Sequence, residues 1–234
     1  MKFLNPSPRP LAMSLRVLAR LLAYPDSELL DHLAELREAL HAERALGPSR
    51  LAEIDLLLGR LQAYAPLEVE AAYVELFDRG RGTSLHLFEH VHGDSRERGP
   101  AMVDLIKTYE AAGLFIAPGE LPDQLSVVLE YASTQPPVAA REFLAEFAHI
   151  LQVIFGALLK RESAYASVLA ALLDLAGQPC QAVKLPAEES IDEAWEEPAV
   201  FGGCSTQGQA RPDQPQPIQI VRRASPPNAP GVRS

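Results

Sequence analysis

A chain of 234 residues, 47% of them apolar, is long enough to bury a sizeable core. Its formal net charge of -10, with no basic run interleaved with aromatics, excludes an ordinary nucleic-acid binder and favours cationic partners. Two late cysteines, Cys180 and Cys204, make no metal-type pair and fit a reducing compartment.

Taken in order, the chain first offers Leu11, Leu15, Leu18 and Leu22 at helical spacing, stopped by Pro25. Arg16 and Arg20 interrupt this apolar run and no small-residue cleavage site follows, so it is not a secretory signal. No segment approaches the roughly 20 apolar residues that span a bilayer. The expectation is a cytoplasmic protein with no stable membrane insertion.

Asp26 or Ser27 can cap a second helix carrying Leu29, Leu30, Leu33, Leu36 and Leu40, which Gly47-Pro48 ends. Ser49 can cap a third, with Leu51, Ile54, Leu57, Leu58 and Leu61 inward. Pro66 opens a fourth, with Val69, Tyr73, Leu76 and Phe77 on one face. Further on, Ser95 is placed to cap a helix bearing Met102, Leu105, Ile106 and Tyr109, stopped by Gly113. Pro122 suits the start of a helix with Leu125, Val128 and Leu129 inward. Pro136-Pro137 opens one long apolar helix aligned on Phe143, Phe147, Ile150, Leu151, Ile154 and Leu158. A last helix runs from a Ser163 cap to Gly177, with Val168, Leu169 and Leu172 apolar. No stretch alternates with period two for long enough to be a strand, and Leu and Ala dominate. The predicted fold class is all-α, one helical domain over residues 1-177.

From residue 178 to 234 the composition turns to Pro, Gly and Gln, with acids from Glu188 to Glu197. Such a segment cannot bury enough apolar surface to offset its ordering entropy, so a largely disordered tail is expected. Ala194-Trp195 and Pro217 to Val221 are short apolar islands within it.

The stretch from Tyr73 to Met102 differs from the plain amphipathic helices around it. It holds His86, His90 and His92, a Gly80-Arg81-Gly82 turn before them, and the alternation Asp94-Ser95-Arg96-Glu97-Arg98 after them. If residues 85-92 are helical, Leu85, Leu87, Phe88 and Val91 fall on one half. His86, Glu89 and His90 then share the other. His86-Leu87-Phe88-Glu89-His90 also matches H-x-x-E-H, so one alternative is an inverzincin-like zinc hydrolase using His86, Glu89 and His90. The other is a polar helix face whose histidines bond to neighbouring helices. A zinc hydrolase needs a third ligand, and no second motif supplies one. There is no G-x-S-x-G elbow and no phosphate loop.

At these residues the chain resembles the NarJ-type nitrate reductase assembly chaperones, within the redox-enzyme maturation chaperones that include TorD and DmsD. The resemblance rests on Tyr73, Glu75-Leu76-Phe77-Asp78-Arg79-Gly80, the run Ser84 to Gly93, Ser95-Arg96 and Arg98-Gly99, and extends from about Leu15 to Gly177. Glu120-Leu121-Pro122-Asp123, followed by Leu129-Glu130-Tyr131, resembles the wider family's E-x-x-D-H segment, with Gln124 in place of His.

The resemblance implies a helical chaperone with no catalytic activity and no cofactor of its own. Its implied partner is the N-terminal peptide of the nitrate reductase catalytic (alpha) subunit. It would hold the apo-enzyme competent for molybdenum cofactor insertion and delay membrane docking. The same fold could instead serve another molybdoenzyme, and contact with molybdenum cofactor biosynthesis proteins is compatible with it. A groove for a basic amphipathic peptide needs an apolar floor, which Phe77, Leu85, Phe88 and Tyr131 can supply. Asp78, Glu89, Asp123 and Glu130 can supply the opposing charge. His86 and His90 would make affinity depend on pH, because protonation sets positive charge beside a cationic ligand.

Overall fold

The computed structural model of the protein describes residues 10-93 and 95-181. The first nine residues, Asp94 and the expected tail from 182 onward lie outside the described residues, as do the islands around Trp195 and Pro217. Within that range the chain is all-α. It contains eleven helices, one 3-10 turn at Arg81-Thr83, and a single isolated antiparallel bridge between His86 and Gln124.

Helix α1 (Ala12-Leu21) is the hub, packing on α3, α8 and α11. Leu11, Leu15, Leu18 and Leu22 are each 1% exposed or less, as their spacing predicts. Its first turn has no cap of its own. The carboxylate of Glu43 accepts the Met13 and Ser14 amides at 3.0 and 2.6 Å, so a later helix supplies what a local Ser or Asp would have done. Tyr73 reaches across to donate to the Leu22 carbonyl at 2.7 Å.

Several predicted helices break where the pattern alone runs on. The expected second helix is two, α2 (Ser27-Asp31) and α3 (Leu33-Glu43), parted at His32. Asp26 caps α2 through the Leu29 amide at 2.9 Å and pairs with Arg20. α3 stops at Arg44, whose φ of 54° is left-handed, before Gly47-Pro48 is reached. α4 (Pro48-Ala63) begins with Pro48 at its first position and Gly47 as cap, so Ser49 lies inside the helix. α5 spans Pro66-Phe77 and α6 only Leu87-Val91. α7 (Arg98-Ala111) follows a Glu97 cap rather than Ser95, and Gly113 ends it at φ 79° as predicted. α8 (Leu125-Thr134) starts three residues after Pro122. The single long helix expected after Pro137 is α9 (Pro137-Glu146) and α10 (Ala148-Lys160), bent by 66° at Phe147. The apolar stripe continues through that bend because Leu144, Phe147, Ile150 and Leu151 all stay inward.

α11 (Ala166-Leu175) corrects the pattern reading further. Every residue in it except Asp174 is buried, where the spacing suggested one apolar face. Its small Ala and Ser positions let α4, α9, α10 and α1 approach from different sides. Asp174 escapes by pairing with Arg50 at 2.8 Å. Among the described residues no single helix is long and apolar enough to cross a membrane. α9 and α10 together pass that test only as a bent pair, with their apolar stripe in the core.

One glycine is fixed by contact rather than by backbone angle. A Cβ on Gly80 would strike the Arg161 guanidinium and stand 2.9 Å from Thr83 Oγ1, itself bonded to the Leu76 carbonyl. Arg161 can swing away; Thr83 cannot without losing its bond. Gly80→Ala is therefore expected to destabilise the fold by about 1 kcal/mol through overpacking. Urea unfolding at an unchanged m-value checks it.

Candidate functional site

The segment 85-87 lies antiparallel to 123-125. The Leu125 amide donates to the Leu85 carbonyl at 2.8 Å, and the Leu87 amide to the Asp123 carbonyl at 3.0 Å. This pairing is why residues 85-92 are not one helix. His86 has extended backbone (φ -87°, ψ 103°), and α6 starts only after it. His86 and Glu89 meet around Asp123 and Arg98, while His90 turns to the Ser84 carbonyl.

Asp123 sits at the centre of that group with its side chain fully buried. Its Oδ2 accepts the Phe88 amide at 3.2 Å, so Asp123 caps α6 from 35 residues away in place of His86. The His86 Nδ1 stands 3.6 Å from Asp123 Oδ1, and Arg98 stands 3.6 Å from Oδ2 and 3.5 Å from Glu89. Glu89 in turn accepts the Ser84 hydroxyl at 2.5 Å. Among the described residues His86 Nδ1, Asp123 Oδ1 and Arg98 Nε are buried with no hydrogen-bond partner, so charge holds this cluster together more than hydrogen bonding does. Facing the Asp123 carboxylate raises the pKa of His86, against a smaller opposing effect of burial. Burial alone would raise the pKa of Asp123, but His86, the Phe88 amide and Arg98 together hold it below the ordinary value.

This geometry does not suit zinc. The two-ligand pattern needs both histidines on one helical turn, and His86 precedes the helix. His90 commits Nε2 as a donor to the Ser84 carbonyl at 2.8 Å. Among the described residues no group of three or more His, Cys, Asp or Glu is placed to hold a metal ion.

Two clefts are lined by residues that adjoin the cluster in the chain, Glu120 in one and Phe88 in the other. The first, about 410 Å³, has Tyr109, Leu114, Ile116, Val127 and Tyr131 along it, with Glu120, Glu130 and Arg16 also lining it. Phe115, 81% exposed, stands in the same loop. The second, about 510 Å³, is lined by Phe88, Val91, Leu105, Phe143 and Phe147, with Asp104, Glu146, His92 and His149. An aromatic ladder joins them. Ring centroids are 4.9 Å apart for Tyr109-Tyr131, 4.9 Å for Tyr131-Phe143 and 5.3 Å for Phe143-Phe147. Asp123 fastens the loop between the clefts, and the Tyr109 hydroxyl donates to the Pro122 carbonyl at 2.9 Å.

The ten predicted groove residues therefore separate. Phe88, Glu130 and Tyr131 reach the clefts, with Glu130 exposed. His86, Glu89 and Asp123 belong to the ionic cluster with Arg98, and His90 bonds the Ser84 carbonyl. Leu85 is buried in the paired segment. Phe77 packs in the core against Tyr73 and Tyr165 at 4.8 and 5.1 Å, away from the rest, and Asp78 lies exposed beyond the end of α5. Periodicity did not single out Glu120, Asp104, Glu146 or Phe143 as rim and floor. An exposed Phe115 in a Pro-Gly loop was the available signal for the first cleft.

Residues 23-171 match the family described as nitrate reductase delta subunit. The chain is 44% identical over 182 residues to the nitrate reductase molybdenum cofactor assembly chaperone NarJ of Escherichia coli (strain K12), which covers 78% of this chain and 77% of that protein. It is 40% identical over 197 residues to a protein of the same organism named as the probable nitrate reductase molybdenum cofactor assembly chaperone NarW, covering 80% and 82%. A Bacillus subtilis (strain 168) protein named as a probable chaperone of the same kind, NarJ, is 30% identical over 171 residues, covering 73% and 90%.

Proposed function

The chain belongs to the nitrate reductase delta subunit family, and from that premise we propose that it is an assembly chaperone for a respiratory nitrate reductase. It performs no reaction itself. It binds the N-terminal segment of the catalytic subunit, keeps the apo-enzyme open to molybdenum cofactor insertion, and delays docking at the membrane until insertion is complete. The names of its relatives support the chaperone role. The single observation that carries the peptide reading is the aromatic ladder with acids around it.

A short amphipathic helix lays one apolar face into a groove and leaves its basic residues to the rim. Tyr131 and Phe143 provide a continuous apolar track, and Glu120, Glu130, Asp104 and Glu146 provide opposing charge. Phe77, Leu85 and Asp123 contribute as support, since buried side chains offer no surface to a ligand. Calorimetry against the catalytic subunit's N-terminal peptide tests the client assignment. Binding no tighter than to a scrambled control, or tighter binding to the peptide of another molybdoenzyme, overturns it.

The ionic cluster also sets a pH dependence. Protonated His86 adds positive charge beside the groove, so affinity for a basic peptide is expected to rise from about pH 6 to 8 as that proton leaves. His86→Gln/His90→Gln should flatten the slope. Equal slopes in variant and wild type would show that the two histidines are not the titrating groups.

A further inference from the structure

A third cleft lies away from the ladder, between the C-terminal half of α4, the side of α5 bearing Val69, Tyr73 and Leu76, and the turn joining α10 to α11. It encloses about 540 Å³ over a floor that includes Leu57, Leu61, Leu76 and Tyr165. Its edge is unusually apolar. Tyr64 is 62% exposed, and Leu56 and Leu67 on the same two helices are 69% and 75% exposed. Its charge is opposite to that of the ladder. Arg60 and Arg161 line it with one acid, Glu68, whose Oε2 is already engaged by the Ala65 amide at 3.3 Å. Arg161 is steadied by the Leu76 carbonyl at 3.3 Å, in space that Gly80 leaves open. Independently, the Tyr165 hydroxyl is buried in this wall with no hydrogen-bond partner among the described residues.

We propose that this cleft docks an acidic, apolar segment of a partner protein. A leucine or aromatic side chain fills the floor beside Tyr165, and carboxylates meet the Arg60 and Arg161 guanidinium groups, which suit carboxylates geometrically. In a chain of net charge -10, a concave apolar site with two arginines is locally inverted. It repels a basic peptide and selects the opposite kind. The concavity favours an inserted peptide over the flat face of a lipid bilayer. Two segments of opposite charge can therefore occupy the protein at once, one on the ladder and one here.

The test uses the full chain and a fluorescein-labelled synthetic helix of about 12 residues, with Trp and Leu at i, i+3 and i+7 and Glu elsewhere. Saturable binding is expected, weakened about tenfold or more by Arg60→Glu/Arg161→Glu. Tyr64→Ser, on an exposed position that leaves Arg161 in place, should weaken it as well. A saturating basic peptide on the ladder should not displace the probe, and both variants should keep wild-type affinity for that basic peptide. Absence of saturable binding, equal affinity in all three proteins, or displacement by the basic peptide overturns the proposal. So does variant-sensitive binding to phosphatidylglycerol vesicles without peptide binding, which would make the surface a membrane contact. None of these outcomes depends on which enzyme is the client.

Discussion

Asp123→Ala is expected to lower the stability of the fold by about 3 kcal/mol, the low end for breaking a buried ion pair because its partners are partly exposed. For a chain of this size that is a fall of about 6-12 °C in thermal midpoint. The loss has three sources: the Phe88 amide at the start of α6 loses its acceptor, Arg98 keeps only Glu89, and His86 loses its counter-charge. Asp123→Asn keeps an acceptor for Phe88 and should cost less. The pH dependence follows from two opposite shifts. The Asp123 contribution is present above its unfolded value and fades as pH falls through its depressed folded value. The His86 contribution is complete below its unfolded value and fades as pH rises through its raised folded value. The gap between wild type and Asp123→Ala should therefore be widest between about pH 4 and 6.5. Differential scanning calorimetry across pH checks it, and a gap that keeps widening towards pH 9 would be incompatible with the cluster described.

Tyr131→Ala is expected to weaken client-peptide binding by about 10- to 100-fold, the scale of an aromatic anchor at the centre of an interface. Tyr131 is an inner rung of the ladder, 4.9 Å from both Tyr109 and Phe143, so its removal separates Tyr109 from Phe143 and Phe147. Tyr131→Phe should keep most of the affinity. Glu130→Lys, on an exposed neighbour, should cost about 3- to 10-fold, with a loss that shrinks at high salt. Calorimetry, with circular dichroism to verify helix content, separates binding from folding. Unchanged affinity in Tyr131→Ala would move the client site off the ladder. Charge reversal at Glu89 remains a usable binding probe because that side chain is partly exposed. Charge reversal at Asp123 does not, since the carboxylate is fully buried and its reversal disrupts the fold first.

Much of the helical framework was legible because its signals are local. Leu11 to Leu22, Leu51 to Leu61 and Leu125 to Leu129 each repeat at three and four residues, and each stripe is buried. Pro25 and Pro66 act through a φ fixed by the ring, and Gly113 through its freedom to adopt φ 79°. Two helices with no local cap in the sequence take their acceptors from elsewhere in the chain: Glu43 serves α1 and Asp123 serves α6. Spacing cannot reveal a partner 30 or more residues away. The break at Phe147 was hidden for a related reason, since an apolar stripe can continue across a bend and leave the pattern unchanged.

By itself the sequence determined the all-α class and the family to which the chain belongs. The class follows from periodicity and breakers, and the family from a resemblance carried by the motifs between Tyr73 and Gly99; all of these are local properties. Only the tertiary structure decided where the residues of that stretch sit and what they touch. Pairing of 85-87 with 123-125 ended the expected helix and turned Asp123 from a rim acid into a buried cap. Packing placed Phe77 in the core and set Tyr109, Tyr131, Phe143 and Phe147 in one ladder drawn from α7, α8, α9 and the bend after α9. Burial depends on which elements meet, and that is set by long-range packing.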